Sequence, residues 1–179
     1  VLDNALRHGA CGINALLYGR AGTGKTQFAL AVAAAAGLNA VMVRTSGDDG
    51  EGLSRQGRLG AYQLAQRMLR DRRDCLIVFD EVEDVFHASQ DGLMALLRGL
   101  PSTGSDKGWL NRTLEENPLP AIWITNDAES MDPAFVRRFL LPIAFVVPPR
   151  LVRRRIAERH LGDQSIPDAL MEELAADDE

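Results

Sequence analysis

"GRAGTGKT", residues 19–26, stands between the apolar run Ile13 to Tyr18 and an alanine-rich stretch that begins at Lys25. Small residues let such a backbone curl so that its N–H groups point inward, and a following helix turns its positive end toward the same point. A concavity of that kind holds phosphate. In the pattern GxxxxGK[ST] the lysine, here Lys25, reaches the β- and γ-phosphates, and the hydroxyl, here Thr26, ligates Mg²⁺. The chain has only two lysines, Lys25 and Lys107, and all its other cationic residues are arginines. A compact point charge at the one position that needs it is therefore informative. A glycine-rich turn that merely tolerates positive φ would require neither the strand before it nor the helix after it.

Outward from this loop, short apolar runs alternate with longer helical patterns, the sequence form of repeated βαβ units around a parallel sheet. Strands are expected at Ile13 to Tyr18, Ala40 to Arg44, Cys75 to Phe79, Ala121 to Thr125 and Leu141 to Val147. "CLIVF" and "AIWIT" are apolar throughout, as in central strands covered on both faces. Helices are expected at Lys25 to Ala36, ended by Gly37, and at Leu53 to Arg70, with Leu59, Tyr62, Leu64, Ala65, Met68 and Leu69 on the apolar side. Residues Pro101 to Pro120 loosen into a surface excursion with a short helical piece at Trp109 to Glu116. Beyond Pro148 and Pro149, "RLVRRRIAERHL" places Leu151, Val152, Ile156 and Leu161 on one helical side, and a further helix is expected at Asp168 to Ala176. The organisation is thus an α/β domain over 1–148 and, over 149–179, the opening of a second, helical domain cut short.

The third strand ends in "CLIVFDEVED", which sets Asp80 and Glu81 where an open α/β sheet presents ligands, at the carboxyl ends of its strands. Asp80 suits Mg²⁺, held largely through water, and Glu81 suits the orientation of an attacking water. Acidic residues in such a place can also be helix N-caps, and Glu83 and Asp84 fit that role. His87 reads as a surface residue, Trp123 as packing, and Trp109 either as core or as a contact anchor.

Composition sets limits on function. With 179 residues and 46% hydrophobic content the chain can bury a core. A net charge of -5 argues against a whole-domain grip on nucleic acid or an anionic membrane. The basic cluster Arg67, Arg70, Arg72 and Arg73 lies at a helix end, where cations complement the dipole. Cys11 and Cys75 lack metal-type spacing, so reduced thiols and a cytoplasmic setting are expected. No apolar stretch approaches the ~20 residues of a membrane span.

Taken together, these segments resemble the AAA+ ATPases, in the AAA subgroup. "GRAGTGKT" is similar to their Walker A motif, "LIVFDE" to Walker B, "ITND" to the sensor 1 strand end, and "MDPAFVRRF", residues 131–139, to the end of the second region of homology. The likeness runs from about Asn14 to Leu161. It implies a P-loop NTPase (RecA-like/AAA+) three-layer sandwich with a mostly parallel five-stranded sheet and the start of a helical lid. It further implies ATP or ADP and Mg²⁺ as ligands, with Gly19, Arg20, Ala21, Gly22, Thr23, Gly24, Lys25, Thr26 and Gln27 around the nucleotide and Thr26 and Asp80 on the metal. Glu81 and Asn126 would act on the water, and Arg137 and Arg138 would enter the site of an adjacent subunit. The family pattern separates its two arginines by Pro-Gly, whereas these are adjacent. Which one reaches across is therefore open, with Arg138 preferred. Read alone, the pair could equally be a helix face bonded to Asp132 or Glu129.

The resemblance implies an ATP-hydrolysing, ring-forming protein, hexameric when complete, that remodels a protein partner. A nucleotide-dependent scaffold with little hydrolysis and a DNA- or RNA-remodelling protein are the alternatives. The segment after the second strand has no aromatic-apolar-glycine pore tripeptide, and Asp48, Asp49 and Glu51 make it polar. The helical lid that would carry the sensor 2 residue is expected to be truncated.

Overall fold

Among the described residues, five strands pair in the order β2-β3-β4-β1-β5, every neighbouring pair parallel. They are β1 (Asn14–Gly19), β2 (Asn39–Met42), β3 (Cys75–Phe79), β4 (Ala121–Thr125) and β5 (Leu141–Phe145). The computed structural model describes residues 10–46, 51–83, 112–127, 131 and 133–161, with 170 and 176. The helices are α1 (Lys25–Ala35), α2 (Arg55–Met68), α3 (Pro133–Val136) and α4 (Arg150–Leu161), and residues 112–116 form a further helical stretch. The expectations for Trp109, His87, the polar segment at 47–50 and most of the last helix fall outside the described residues.

β3 and β4 are buried at every position. Their side chains alternate between two cores, as the two-residue period of a strand requires. Leu16, Ile77, Phe79 and Trp123 face one side with Tyr62 of α2, while Leu17, Leu76, Val78, Ile122 and Ile124 face the other with Ala29 and Ala33 of α1. The alanines allow α1 to lie close to the sheet. On the α2 side, Tyr62 packs against Phe79 and Trp123 with ring centroids 5.5 and 4.8 Å apart. Such aromatic pairs add about 0.5–1.5 kcal/mol each beyond their burial.

β5 stops at Phe145 rather than continuing to Val147. Its partner β1 ends at Gly19, opposite Phe145, where the chain leaves the sheet for the phosphate loop. Gly19 has φ 138°, and a Cβ there would stand 2.0 Å from the Phe145 carbonyl oxygen, so only glycine fits. Pro142 is tolerated because β5 is an edge strand.

α2 departs further from expectation. Its buried positions are Arg58, Tyr62 and Gln66, whereas Leu64 and Met68 are exposed. Leu59, Ala65 and Leu69 pack against the core as expected, and the polar groups join them because each meets a fixed backbone partner: Gln66 donates to the Leu119 carbonyl (3.1 Å) and accepts its N–H (2.9 Å), and Arg58 meets the end of β3. A second buried network crosses the sheet. Asn14 Nδ2 donates to Leu114 O (2.6 Å) and Asn117 Oδ1 (2.9 Å), and Asn14 Oδ1 accepts from Trp123 Nε1 (2.9 Å).

The chain divides into two compact units, Val1–Phe145 and Val146–Glu179. Within the second, α4 carries an Arg154–Glu158 pair at 2.9 Å, and its Leu151, Val152 and Ile156 are exposed. No helix among the described residues is long and apolar enough to cross a membrane. Cys11 is an exposed thiol and Cys75 a buried one.

Candidate nucleotide site

β1 delivers the chain at Gly19 to the loop 20–24, and Gly24 starts α1 as its N-cap with φ 86°. A glycine N-cap offers no side-chain oxygen to the first N–H groups of α1, and the first turn carries no acidic residue. These N–H groups and the helix dipole therefore favour an anion at this point. Lys25 Nζ curls back over the loop and donates to the carbonyls of Gly19 and Arg20, 2.7 Å each. The residue is only 5% exposed. Burial lowers its pKa below the ordinary lysine value, opposed by the negative charges of Asp80 and Glu83.

Across the loop, Thr26 Oγ1 donates to Asp80 Oδ2 at 2.6 Å. The other Asp80 oxygen accepts the Glu81 N–H at 2.9 Å. A cleft of about 340 Å³ lies between the loop 21–27 and the strand ends, with Asp80, Glu81, Ile124 and Asn126 on its far wall. The topology explains the meeting: β4 is inserted between β1 and β3, so Asn126 at its end necessarily sits between the loop and the acidic pair. Asn126 also receives a bond that the sequence did not announce. Its backbone N–H donates to the Glu83 carboxylate, so Glu83 links two strand ends; the helix expected after it lies outside the described residues. Asp84 lies outside the described residues.

Hydroxyl and carboxylate oxygen converging on one point fit Mg²⁺, which takes few protein ligands beside water and phosphate oxygens. Among the described residues no cluster of three or more His, Cys, Asp or Glu offers a self-contained metal site.

The two arginines lie elsewhere. Arg137 and Arg138 follow α3 and precede β5, whose first residues align with the start of β1: Leu140 N–H donates to the Asn14 carbonyl, and Leu141 pairs with Ala15. They are therefore at the amino ends of the strands, and the cleft is at the carboxyl ends, roughly one strand length or ~16 Å away at ~3.3 Å per residue. Arg138 is paired with Glu115 of the 112–116 helical stretch. Arg137 is exposed. The expected surface partners Asp132 and Glu129 are not among the described residues, and Glu115 is the carboxylate that sequence proximity could not supply.

A wholly parallel α/β sheet with a lysine-bearing phosphate loop after β1 and an acidic pair two strands away defines a P-loop nucleotide-binding protein. Within that class the chain belongs to the AAA family, the ATPase family associated with various cellular activities, whose profile matches residues 15–147. A nucleotide-dependent function of the AAA type follows from that membership. Similar solved structures include the FIGL-1 AAA domain in complex with ADP, with TM-score 0.55 and 20% identity over 90% of this chain and 53% of that one. Another is a structure addressing katanin self-assembly, with TM-score 0.58 and 23% identity over 91% of this chain and 51% of that one. At these identities the likeness is one of fold. The chain spans about half the length of those solved chains. A search of curated protein sequences gives no significant match.

Arg58, Glu83 and Glu115 complete the picture without having been legible as site residues. The one available signal for Arg58 was its helical spacing: it shares a face with Tyr62 and Gln66 at i, i+4 and i+8.

Proposed function

We propose that this chain is the catalytic core of a Mg²⁺-dependent ATPase that acts as a ring, hexameric in the complete protein, and remodels a protein partner in the cytoplasm. The observation that carries this reading is the 2.6 Å contact of Thr26 with Asp80 across a cleft that also holds Lys25, Glu81 and Asn126. In this reading the loop 19–27 cradles the phosphates through its N–H groups, and Lys25 exchanges its own loop carbonyls for phosphate oxygens. Magnesium held by Thr26 and Asp80 would neutralise charge on the phosphates. Glu81 orients and polarises the attacking water, and the Asn126 amide fixes its position on the opposite side.

The transition-state charge calls for a further cation at the γ-phosphate. Arg137 and Arg138 stand at the wrong end of their own sheet for that task, which supports a role in a neighbouring subunit's site. The pairing of Arg138 with Glu115 moves the preference from Arg138 to exposed Arg137 as the reaching residue, with Arg138 bracing the turn. A finger supplied between subunits is worth roughly 10³–10⁵ in rate. In this reading ADP is a ligand, as in the FIGL-1 domain complex, and subunits assemble, as katanin does. Residues 149–179 are read as the beginning of its helical lid.

Glu81→Gln in the full-length protein tests the reading. ATP binding by calorimetry should persist while steady-state phosphate release falls at least 100-fold. Unimpaired hydrolysis would overturn it.

A further inference from the structure

Glu81 is the one non-glycine residue among those described with positive φ, at 53°. Residues with a Cβ rarely adopt that region unless their surroundings hold them there. The holding group is on α2. The Arg58 guanidinium donates through Nη1 to the Glu81 carbonyl at 2.7 Å and through Nη2 to the Asp80 carbonyl. Its planar fork matches two successive carbonyls in a way that an ammonium cannot. The same cation lies over the Phe79 ring, 5.3 Å from the centroid, so it spans the last residue of β3 and the two that follow. Arg58 is 4% exposed. A buried cation is costly unless it is well compensated, and the two carbonyl dipoles and the ring face contribute to that compensation.

We propose that Arg58 is a positioning residue for hydrolysis: it locks the Asp80–Glu81 backbone in the turn that aims the Glu81 carboxylate into the nucleotide cleft. This rests on the reading of Glu81 as the residue that orients water. The remaining polar groups of the turn are fixed as well, with the Glu81 N–H on Asp80 Oδ1 and the Val82 N–H on the Ile124 carbonyl at 3.0 Å. With the carbonyls released, the backbone of residue 81 would relax toward negative φ and swing its side chain away. Asp80 and Thr26, on the near side of the turn, would keep their contact. Arg58 therefore acts on turnover more than on nucleotide affinity.

The test uses the full-length protein with Arg58→Met, Arg58→Lys, Glu81→Gln and the double variant Arg58→Met/Glu81→Gln. ATP Kd, KM, kcat and Tm are measured for each. Arg58→Met should keep ATP affinity within about threefold and lower kcat about 100-fold, the scale on which small misplacements act. Arg58→Lys, able to reach one carbonyl, should recover part of the rate. In the double variant the residual turnover should match that of Glu81→Gln alone, because both changes remove the same contribution. A folded Arg58→Met with kcat within twofold of wild type, a fully additive double variant, a parallel loss of ATP affinity, or unfolding of both Arg58 variants would each overturn the proposal. If Glu81→Gln itself hydrolyses normally, the reading of Glu81 fails. A dead Glu81→Gln beside an unimpaired Arg58→Met removes the role of Arg58 alone.

Discussion

At the scale of single residues, Lys25 carries the site's most consequential electrostatics. Burial holds its pKa below the ordinary value, so the folded chain binds this proton less tightly than the unfolded chain does. At pH below the depressed pKa both states are protonated and the folded state carries the full penalty. Between the folded and unfolded pKa the unfolded state binds more protons, so the penalty is relieved as pH rises. Phosphate acts in the opposite sense, because its negative charge favours the ammonium. Nucleotide affinity is therefore expected to fall as pH rises through the depressed Lys25 pKa, with proton uptake on binding. Calorimetry in buffers of different ionisation enthalpy checks this, and Lys25→Arg, which does not titrate there, should flatten the profile. An unchanged pH dependence in Lys25→Arg would assign it to another group. Lys25, Thr26, Asp80 and Glu81 were all legible from local sequence because their chemistry and spacing form continuous motifs. Arg58 was not, since its partners lie 22 and 23 positions away.

Elements follow a similar logic with different physics. Strand positions followed from apolar runs, and the departures are confined to ends: β1 is shifted by one residue, β2 starts one residue earlier and ends two earlier, and β5 is shortened by the exit of β1. Apolar patterning puts Leu59, Tyr62 and Ala65 of α2, and Leu69 at its C-cap, against the core, as expected, but misplaces Leu64 and Met68 and misses Arg58 and Gln66, whose burial depends on available hydrogen-bond partners. Asn14 shows the same effect within a strand, at 1% exposure and with three side-chain bonds. Asn14→Ala leaves the indole N–H of Trp123 and the Leu114 carbonyl without that partner. Buried polar groups stripped in this way cost about 1–3 kcal/mol each. A loss of about 2–4 kcal/mol is expected, seen as a fall of several degrees in Tm, with the 112–117 region losing amide-exchange protection first. A Tm within one degree of wild type would show that the network is not needed for stability.

For the whole molecule, the decisive feature is the separation of Arg137 and Arg138 from the cleft by the length of the sheet. A parallel sheet cannot bring both ends to one place, so a single subunit cannot use these arginines at its own phosphates. In the full-length protein, mixing an Arg137→Ala subunit with a Lys25→Ala subunit should restore hydrolysis, because some interfaces then combine an intact phosphate loop with an intact arginine. Phosphate release measured across mixing ratios should pass through a maximum. Mixed assemblies with no more activity than either parent would return Arg137 to the surface of its own chain.

The sequence by itself determined what depends on neighbours along the chain: the strand–loop–helix of residues 14–35, the apolar central strands, and the acidic pair at the end of β3. Local sterics and short-range hydrogen bonding are encoded within a few residues, so they can be read there. Tertiary structure alone decided which strand ends meet, that Glu83 binds the amide of Asn126, that Glu115 takes Arg138, and that Arg58 grips the turn at Glu81. Each of these joins groups from different elements, and their pairing is fixed by strand order and burial, quantities that exist only once the chain has folded.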